Sequence, residues 1–346
     1  MARRRAALPW AFPFQQVLGA WARAPARVAG AATRAHMRTV SDAVSDAVDE
    51  HRRPPAGQGD WIAGVAMAPS GLRRFQLYRP PGVAFHEKLP LMVMVMLHGC
   101  HQNAKAFAES TRMNALAARE RFLVLYPEQD RRANGQGCWN WYETRSGLAL
   151  AEARIVMAAV QQVTLLYQVD RDRVALAGLS AGASMAALLA MTYPERFRAV
   201  AMHSGVPPGA ASSTATALRA MHRGHRPAAL PEGTDTTRWP PLIVIHGDAD
   251  RVVSSRNAAS TAEFWAEAAG GASPAAPRRV QRGQRHAMTV TDYKLRGRTR
   301  ASLCEVGSLG HAWSGGAAKR PFSDPHGPDA SRLLWAFVSR QFDEAG

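Results

Sequence analysis

Gly178-Leu179-Ser180-Ala181-Gly182 follows the apolar run Val174-Ala175-Leu176-Ala177 and precedes a helix-like run from Ala183 to Met191. A strand, a sharp turn and a helix in that order are what a G-x-S-x-G turn requires. Such a turn strains the serine backbone and lifts its hydroxyl clear of the sheet edge. Both glycines are needed, because a Cβ at either position would collide with the neighbouring strand or helix. Ser180 is therefore the candidate nucleophile. The plainer alternative is a glycine-bounded turn whose serine only caps the helix.

Outward from this turn, apolar runs alternate with helical patterns. Phe75-Gln76-Leu77-Tyr78 alternates and stops at Pro80-Pro81, while Leu91 to Leu97 is continuously apolar and ends in His98-Gly99. Continuous runs suit a central strand covered on both faces. The pattern predicts a helix from Phe107 to Arg119, a strand from Phe122 to Tyr126 and a long helix from Leu148 to Tyr167. Further strands are expected at 197–202, 242–245, 289–291 and 303–306, with a closing helix from Ser331 to Phe342. This alternation predicts an α/β fold with a mostly parallel central sheet and helices on both faces. Ligands gather beyond the carboxyl ends of such strands. Residues 207–240, rich in Ala, Pro, Thr and Gly, read as an excursion that roofs the site.

The chain of 346 residues is long enough for one large catalytic domain, expected over 61–346. Residues 1–60 read as an extension, with Arg52-Arg53-Pro54-Pro55-Ala56-Gly57 as a linker. Trp10, Phe14, Leu18 and Trp21 recur near helical spacing among arginines. Residues 1–50 could thus touch a lipid-coated granule or a membrane surface, or form a plain extension. Pro9, Pro13, Gln15 and Gln16 interrupt the first apolar stretch, so no clean export signal is read. The expectation is a cytoplasmic protein, with secretion as the alternative. No run of eighteen uncharged apolar residues predicts a membrane span.

The net charge of +16 comes mostly from scattered arginine. It would tolerate an anionic partner, but no nucleic-acid motif accompanies it, so no nucleic-acid partner is expected. Three cysteines are too few for a disulfide framework. Cys100 and Cys138 both fall in segments assigned to the site rim, so either one bridge joins them or all three thiols are reduced.

A serine hydroxyl becomes nucleophilic only when a base takes its proton, usually a histidine oriented by a carboxylate. Two aspartates follow the strand that ends at His246-Gly247. Asp250 is preferred to Asp248 because it lies further into the loop and is followed by Val252-Val253, which re-anchor the chain. Among twelve histidines, His311 is the one after Asp250 that follows an apolar strand in a glycine-rich loop. His286 sits in a charged stretch, and His326 lies in a Pro-Gly turn. The backbone N–H groups of Ala181 and Cys100 are the candidate oxyanion donors. Trp139 and Trp313 are candidate walls of an acyl pocket, with ordinary core packing as the alternative for the aromatic cluster. No metal-ligand spacing and no dinucleotide or phosphate loop is found, so no metal and no cofactor is implied.

The motifs LHGCHQN at 97–103, CWNW at 138–141, GLSAGASMA at 178–186, HGDADRVV at 246–253 and GHAWSGG at 310–316 occur in one order. Together they resemble the polyhydroxybutyrate depolymerase-like esterases, relatives of the feruloyl and acetyl xylan esterases of carbohydrate esterase family 1. The resemblance spans roughly residues 70 to 340. It implies an α/β-hydrolase fold and cofactor-free hydrolysis of carboxylic esters through an acyl-enzyme. Ser180 would be the nucleophile, Asp250 the acid, His311 the base and Cys100 the oxyanion-loop residue. The implied substrate is a hydroxyalkanoate oligomer or polymer. Feruloyl or acetyl esters of plant polysaccharide are the alternative. Ala183 stands where the common family elbow has a second glycine.

Overall fold

The computed structural model describes residues 54–84, 91–228, 230 and 233–343. The readings placed on residues 1–53, including any surface contact through residues 1–50, lie outside the described residues. The unit that carries the sheet begins at Pro54.

Thirteen strands and seven α-helices are present among the described residues. The strands are β1 (Asp60–Ala68), β2 (Gly71–Arg79), β3 (Leu91–Leu97), β4 (Leu123–Pro127), β5 (Val169–Leu179), β6 (Ala199–His203) and β7 (Leu242–Gly247). After them come β8 (Ser273–Pro274), β9 (Arg278–Val280), β10 (Met288–Leu295), β11 (Arg298–Val306), β12 (Trp313–Ser314) and β13 (Ser323–Asp324). The helices are α1 (Ala104–Thr111), α2 (Met113–Glu120), α3 (Leu148–Leu166), α4 (Ala181–Thr192), α5 (Thr214–Arg223), α6 (Arg256–Ala268) and α7 (Ala330–Asp343).

The main sheet runs β1-β2-β4-β3-β5-β6-β7-β11-β10-β8, with β9 beside β10. Strands β4, β3, β5, β6, β7 and β11 are parallel to one another, and antiparallel hairpins close both edges. Side chains alternate between faces along a strand. Val93, Val95, Leu97, Leu176, Val200 and Val244 therefore enter one buried layer, beneath α3, α4 and α6. Met94, Met96, Ala175, Ala177, Ala201 and Ile245 enter the other, beneath α1, α2 and α7. Two covered faces explain why β3 reads as LMVMVML without alternation.

Two departures from the sequence reading have local causes. The helix expected over 107–119 is two helices, because Arg112 adopts φ 55 and ends α1 with a left-handed cap. Arg112 Nη2 then reaches the Gly315 carbonyl at 2.6 Å. The sequence pattern marks only the second strand of the hairpin β1–β2, because Gly64 interrupts the apolar pattern of β1. That glycine is required: its partner across the ladder is Phe75, whose ring occupies the space a Cβ would need. Helix α3 is long and apolar enough to cross a membrane, yet it lies largely buried among the described residues as a helix covering the sheet.

Candidate active site

Ser180 joins β5 to α4 with φ 56 and ψ −122, a conformation that L side chains adopt only under constraint. The constraint is visible on both sides. A Cβ at Gly178 would strike the Gly182 backbone, and one at Gly182 would strike the carbonyls of Leu97 and His98. The Ser180 N–H donates to the His203 carbonyl at 2.9 Å, which fixes the turn to the next strand.

Asp250 and His311 lie in the loops after β7 and β11, which are parallel neighbours. Gly247 lets the two loops touch, since a Cβ there would overlap the Leu309 backbone. The Ser308 N–H donates to Asp248 Oδ1 at 2.7 Å and the Ala249 N–H to Leu309 O at 3.1 Å. Asp248 is thus a loop clasp. Asp250 Oδ2 meets His311 Nδ1 at 2.7 Å, and Asp250 Oδ1 accepts the N–H groups of Val252 and Val253 at 2.9 and 2.8 Å. The Asp250 side chain is fully buried and that of His311 is 10% exposed. Burial alone would raise the Asp250 pKa. Bonds from His246 and His311, the charge of His311 and the Val253 N–H outweigh it, holding the carboxyl well below its ordinary range.

Sequence reasoning missed three buried histidines at the tips of parallel strands. His246 Nε2 lies 3.3 Å from Asp250 Oδ2 and 2.9 Å from Val253 O, so it donates into that corner and steadies Asp250 from behind. His203 Nε2 accepts the Ser314 N–H at 3.1 Å, which leaves the proton on Nδ1, facing Ser204 Oγ at 3.1 Å. Residue 203 thereby ties the serine turn, through its carbonyl, to the loop that carries His311, through its ring. His98 Nε2 accepts the Gln129 N–H at 3.1 Å and its Nδ1 donates to Gly99 O at 2.8 Å. A detectable signal existed: each of these residues ends an apolar strand just before a glycine or a Ser-Gly pair.

Burial lowers the pKa of His203 to about 3, helped by the nearby His246 and His311 and opposed by Asp250. A folded pKa below the ordinary 6.5 means stability is complete above about pH 6.5 and is lost as the pH falls towards 3. His98, lowered first by its own burial, acts in the same direction. Unfolding free energy from urea titrations is expected to drop by about 2 kcal/mol between pH 7.5 and pH 5 on the His203 contribution alone. Equal stability at the two pH values would contradict the neutral, buried His203.

The loop after β3 supplies the candidate oxyanion donor by elimination. The Gly99 N–H donates to Gln102 Oε1, the His101 N–H to Gln136 O and the Gln102 N–H to Gly99 O. Among the described residues the Cys100 N–H makes no such bond, nor does the Ala181 N–H at the first position of α4. Cys100 is disulfide-bonded to Cys138, which pins this loop to the CWNW segment, while Cys304 is a buried free thiol with its pKa raised by burial to about 12. Glu152 of α3 holds the same segment from below. Its carboxylate accepts Asn140 N–H at 2.9 Å, Asn140 Nδ2 at 2.7 Å and Gln129 Nε2 at 2.7 Å, with Arg73 3.4 Å away.

Ser180, Ala181, Cys100 and Trp139 line one cavity of about 420 Å³. Trp141, Leu218, Met221 and Val253 add apolar wall, so the 207–240 excursion contributes part of the roof through α5. Trp139 donates its indole N–H to His98 O at 3.1 Å, which fixes the ring as a wall. Trp313 corrects the expectation placed on it. It is fully buried away from the cavity, stacked on His203 at 5.0 Å, edge-on to Phe107 at 5.4 Å and bonded to Ser331 Oγ at 3.1 Å. Its role is to support His203. Ser180 Oγ makes no hydrogen bond to the His311 ring in this structure. Among the described residues no three His, Cys, Asp or Glu side chains gather into a metal-binding group.

Sheet order, serine elbow and helices on both faces define an α/β-hydrolase. The family described as Esterase PHB depolymerase matches residues 73–285, and the chain belongs to it. Poly(3-hydroxyalkanoate) depolymerase C of Paucimonas lemoignei is 32% identical over 58% of this chain and 50% of its own length. Feruloyl esterase B of Neurospora crassa is 30% identical over 51% of this chain and 65% of its own length. The match therefore spans about half of the first relative and just under two thirds of the second. Among solved structures, the acetyl xylan esterase of Aspergillus awamori has the same fold, with a TM-score of 0.57 at 20% identity over 74% of this chain and 94% of its own.

Proposed function

We propose that this chain is a serine carboxylesterase that cleaves short hydroxyalkanoate esters through an acyl-enzyme. The observation that carries this is the Asp250–His311 pair at 2.7 Å, tethered through His203 to a strained serine elbow. With Nδ1–H held by Asp250, the ring presents its other nitrogen as a base. Ser180 Oγ attacks the carbonyl carbon as His311 takes its proton. The oxyanion accepts the N–H groups of Cys100 and Ala181. His311 returns the proton to the leaving alcohol, and water repeats the sequence to free the acid. This step requires the serine hydroxyl and the imidazole to come within hydrogen-bond distance when substrate binds, a stage at which catalytic hydrogen bonds commonly tighten.

The apolar cavity of about 420 Å³ suits a short acyl unit. Trp139, Trp141 and Tyr142 on its wall favour a second reading, an aromatic or acetyl ester of plant polysaccharide. The two are separated by rates on hydroxybutyrate oligomers, amorphous polyhydroxybutyrate, methyl ferulate and acetylated xylan. A preference of at least about tenfold for the oligomers is expected, and a reversed order would reject the first reading. A fluorophosphonate probe should label Ser180; no labelling would reject both.

The Cys100–Cys138 bridge supports an oxidising compartment over the cytoplasm, where thiols are kept reduced. Alkylation of the denatured native protein should then find one thiol, Cys304. Three would return the protein to the cytoplasm.

A further inference from the structure

The amino ends of the parallel strands, opposite the serine elbow, frame a second cavity of about 400 Å³. Its lining gathers Arg171 of β5, Arg198 just before β6, Arg238 on the approach to β7, and Arg298 and Arg300 of β11. Because β5, β6, β7 and β11 are consecutive in the sheet, these guanidinium groups form a row along one rim. Two carboxylates, Asp172 and Glu195, share the lining. None of the five arginines makes an ion pair among the described residues. Of the acids outside the lining, Asp170 pairs with Arg173 at 3.3 Å and Asp292 with Arg278 at 3.4 Å, while the exposed Asp235 feels the charge of Arg238.

Two of the five are fixed in place. Arg198 Nε donates to Gln341 O at 3.2 Å and Arg300 Nη2 to Trp239 O at 2.9 Å. Each guanidinium has five N–H donors, so most remain available. The half-buried Arg300 has its pKa lowered, first by burial and then by the neighbouring Arg298. Like charges converging on a concave wall repel one another, and an anion in the concavity removes that penalty.

We propose that this cavity binds a compact anion bearing two linked phosphoryl groups. A single bidentate fork satisfies a planar carboxylate, whereas tetrahedral phosphoryl oxygens accept donors from several directions. Guanidinium groups arriving from four chain segments suit the second geometry. The volume is that of a small-ligand site. Nothing in this proposal depends on the chemistry at Ser180.

Calorimetric titration of the full chain with pyrophosphate, ADP and citrate, at a fixed ionic strength of about 0.15 M, tests it. Pyrophosphate should bind saturably, one per chain, with Kd below about 1 mM. Tighter binding of ADP would identify a nucleotide ligand and equal binding an inorganic one; both support the site. The double variant Arg298→Gln, Arg300→Gln should weaken pyrophosphate at least about tenfold. Should loss of Arg300 disturb the Trp239 loop, the exposed pair Arg238→Gln, Arg298→Gln serves instead. Arg282→Gln, outside the lining, should change nothing, and p-nitrophenyl butyrate turnover should stay at the parent rate in every variant. Citrate binding as tightly as pyrophosphate, equal weakening by Arg282→Gln, or no saturable heat would each overturn the proposal.

Discussion

Replacing Ser180 with alanine should reduce kcat for p-nitrophenyl butyrate by roughly 10⁵-fold while leaving the thermal midpoint within a few degrees of the parent. The two halves of this result have separate causes. Activity falls because no other group at the elbow can form the acyl bond. Cys100 and Cys138 line the same cavity, and the disulfide between them leaves neither a thiolate. Stability holds because the bonds of Ser180 that shape the turn are made by its backbone, through His203 O and the N–H groups of Ala183 and Ser184. Its hydroxyl leaves no buried partner behind. Ser180→Gly gives a sharper version. It should be equally inactive yet more stable by about 1 kcal/mol, since glycine accepts φ 56 without strain. A Ser180→Ala protein that keeps a tenth of parent turnover would remove the nucleophile from residue 180.

Much of this architecture was open to reading because it obeys local rules. Leu91 to Leu97 must be central, since a seven-residue apolar strand has no face to give to water. The elbow declared itself through two glycines whose absent Cβ atoms are where strand and helix backbones approach. What stayed hidden depends on partners far apart in the chain. Ser314 N–H bonds His203 across 111 residues, and no periodicity reports such a contact. Trp313 misled for a related reason. A tryptophan two residues from the candidate base, in a glycine loop, has the composition of a pocket wall. Its ring instead turns inward against His203 and Phe107, because β12 pairs with β13 and carries it under the loop. Glu152 shows the converse. A lone acid within an apolar helix reads as a blemish, but folded it collects the Asn140 and Gln129 donors that hold the CWNW segment over the cavity.

Asp250→Asn should lower kcat/KM by about 10⁴-fold, and Asp248→Asn by less than about tenfold. An asparagine at 250 can still accept the Val252 and Val253 N–H groups through its carbonyl oxygen, as Asp250 Oδ1 does. Its amide nitrogen must then occupy the place of Oδ2, facing His311 Nδ1 and His246 Nε2. One amide N–H then confronts the Nε2–H of His246, which keeps its existing bond to the Val253 carbonyl at 2.9 Å. His311 responds by becoming an acceptor at Nδ1, which moves its proton to the nitrogen that should receive one from serine. The base is present but in the wrong tautomer, so the loss falls on kcat with little change in KM. Asp248 differs because its oxygen accepts a backbone N–H from Ser308, a bond an amide oxygen can replace. Comparable losses in the two variants would mean that loop position, rather than the state of the imidazole, governs the reaction. A selective loss at 250 ties turnover to the Asp250–His311 pair.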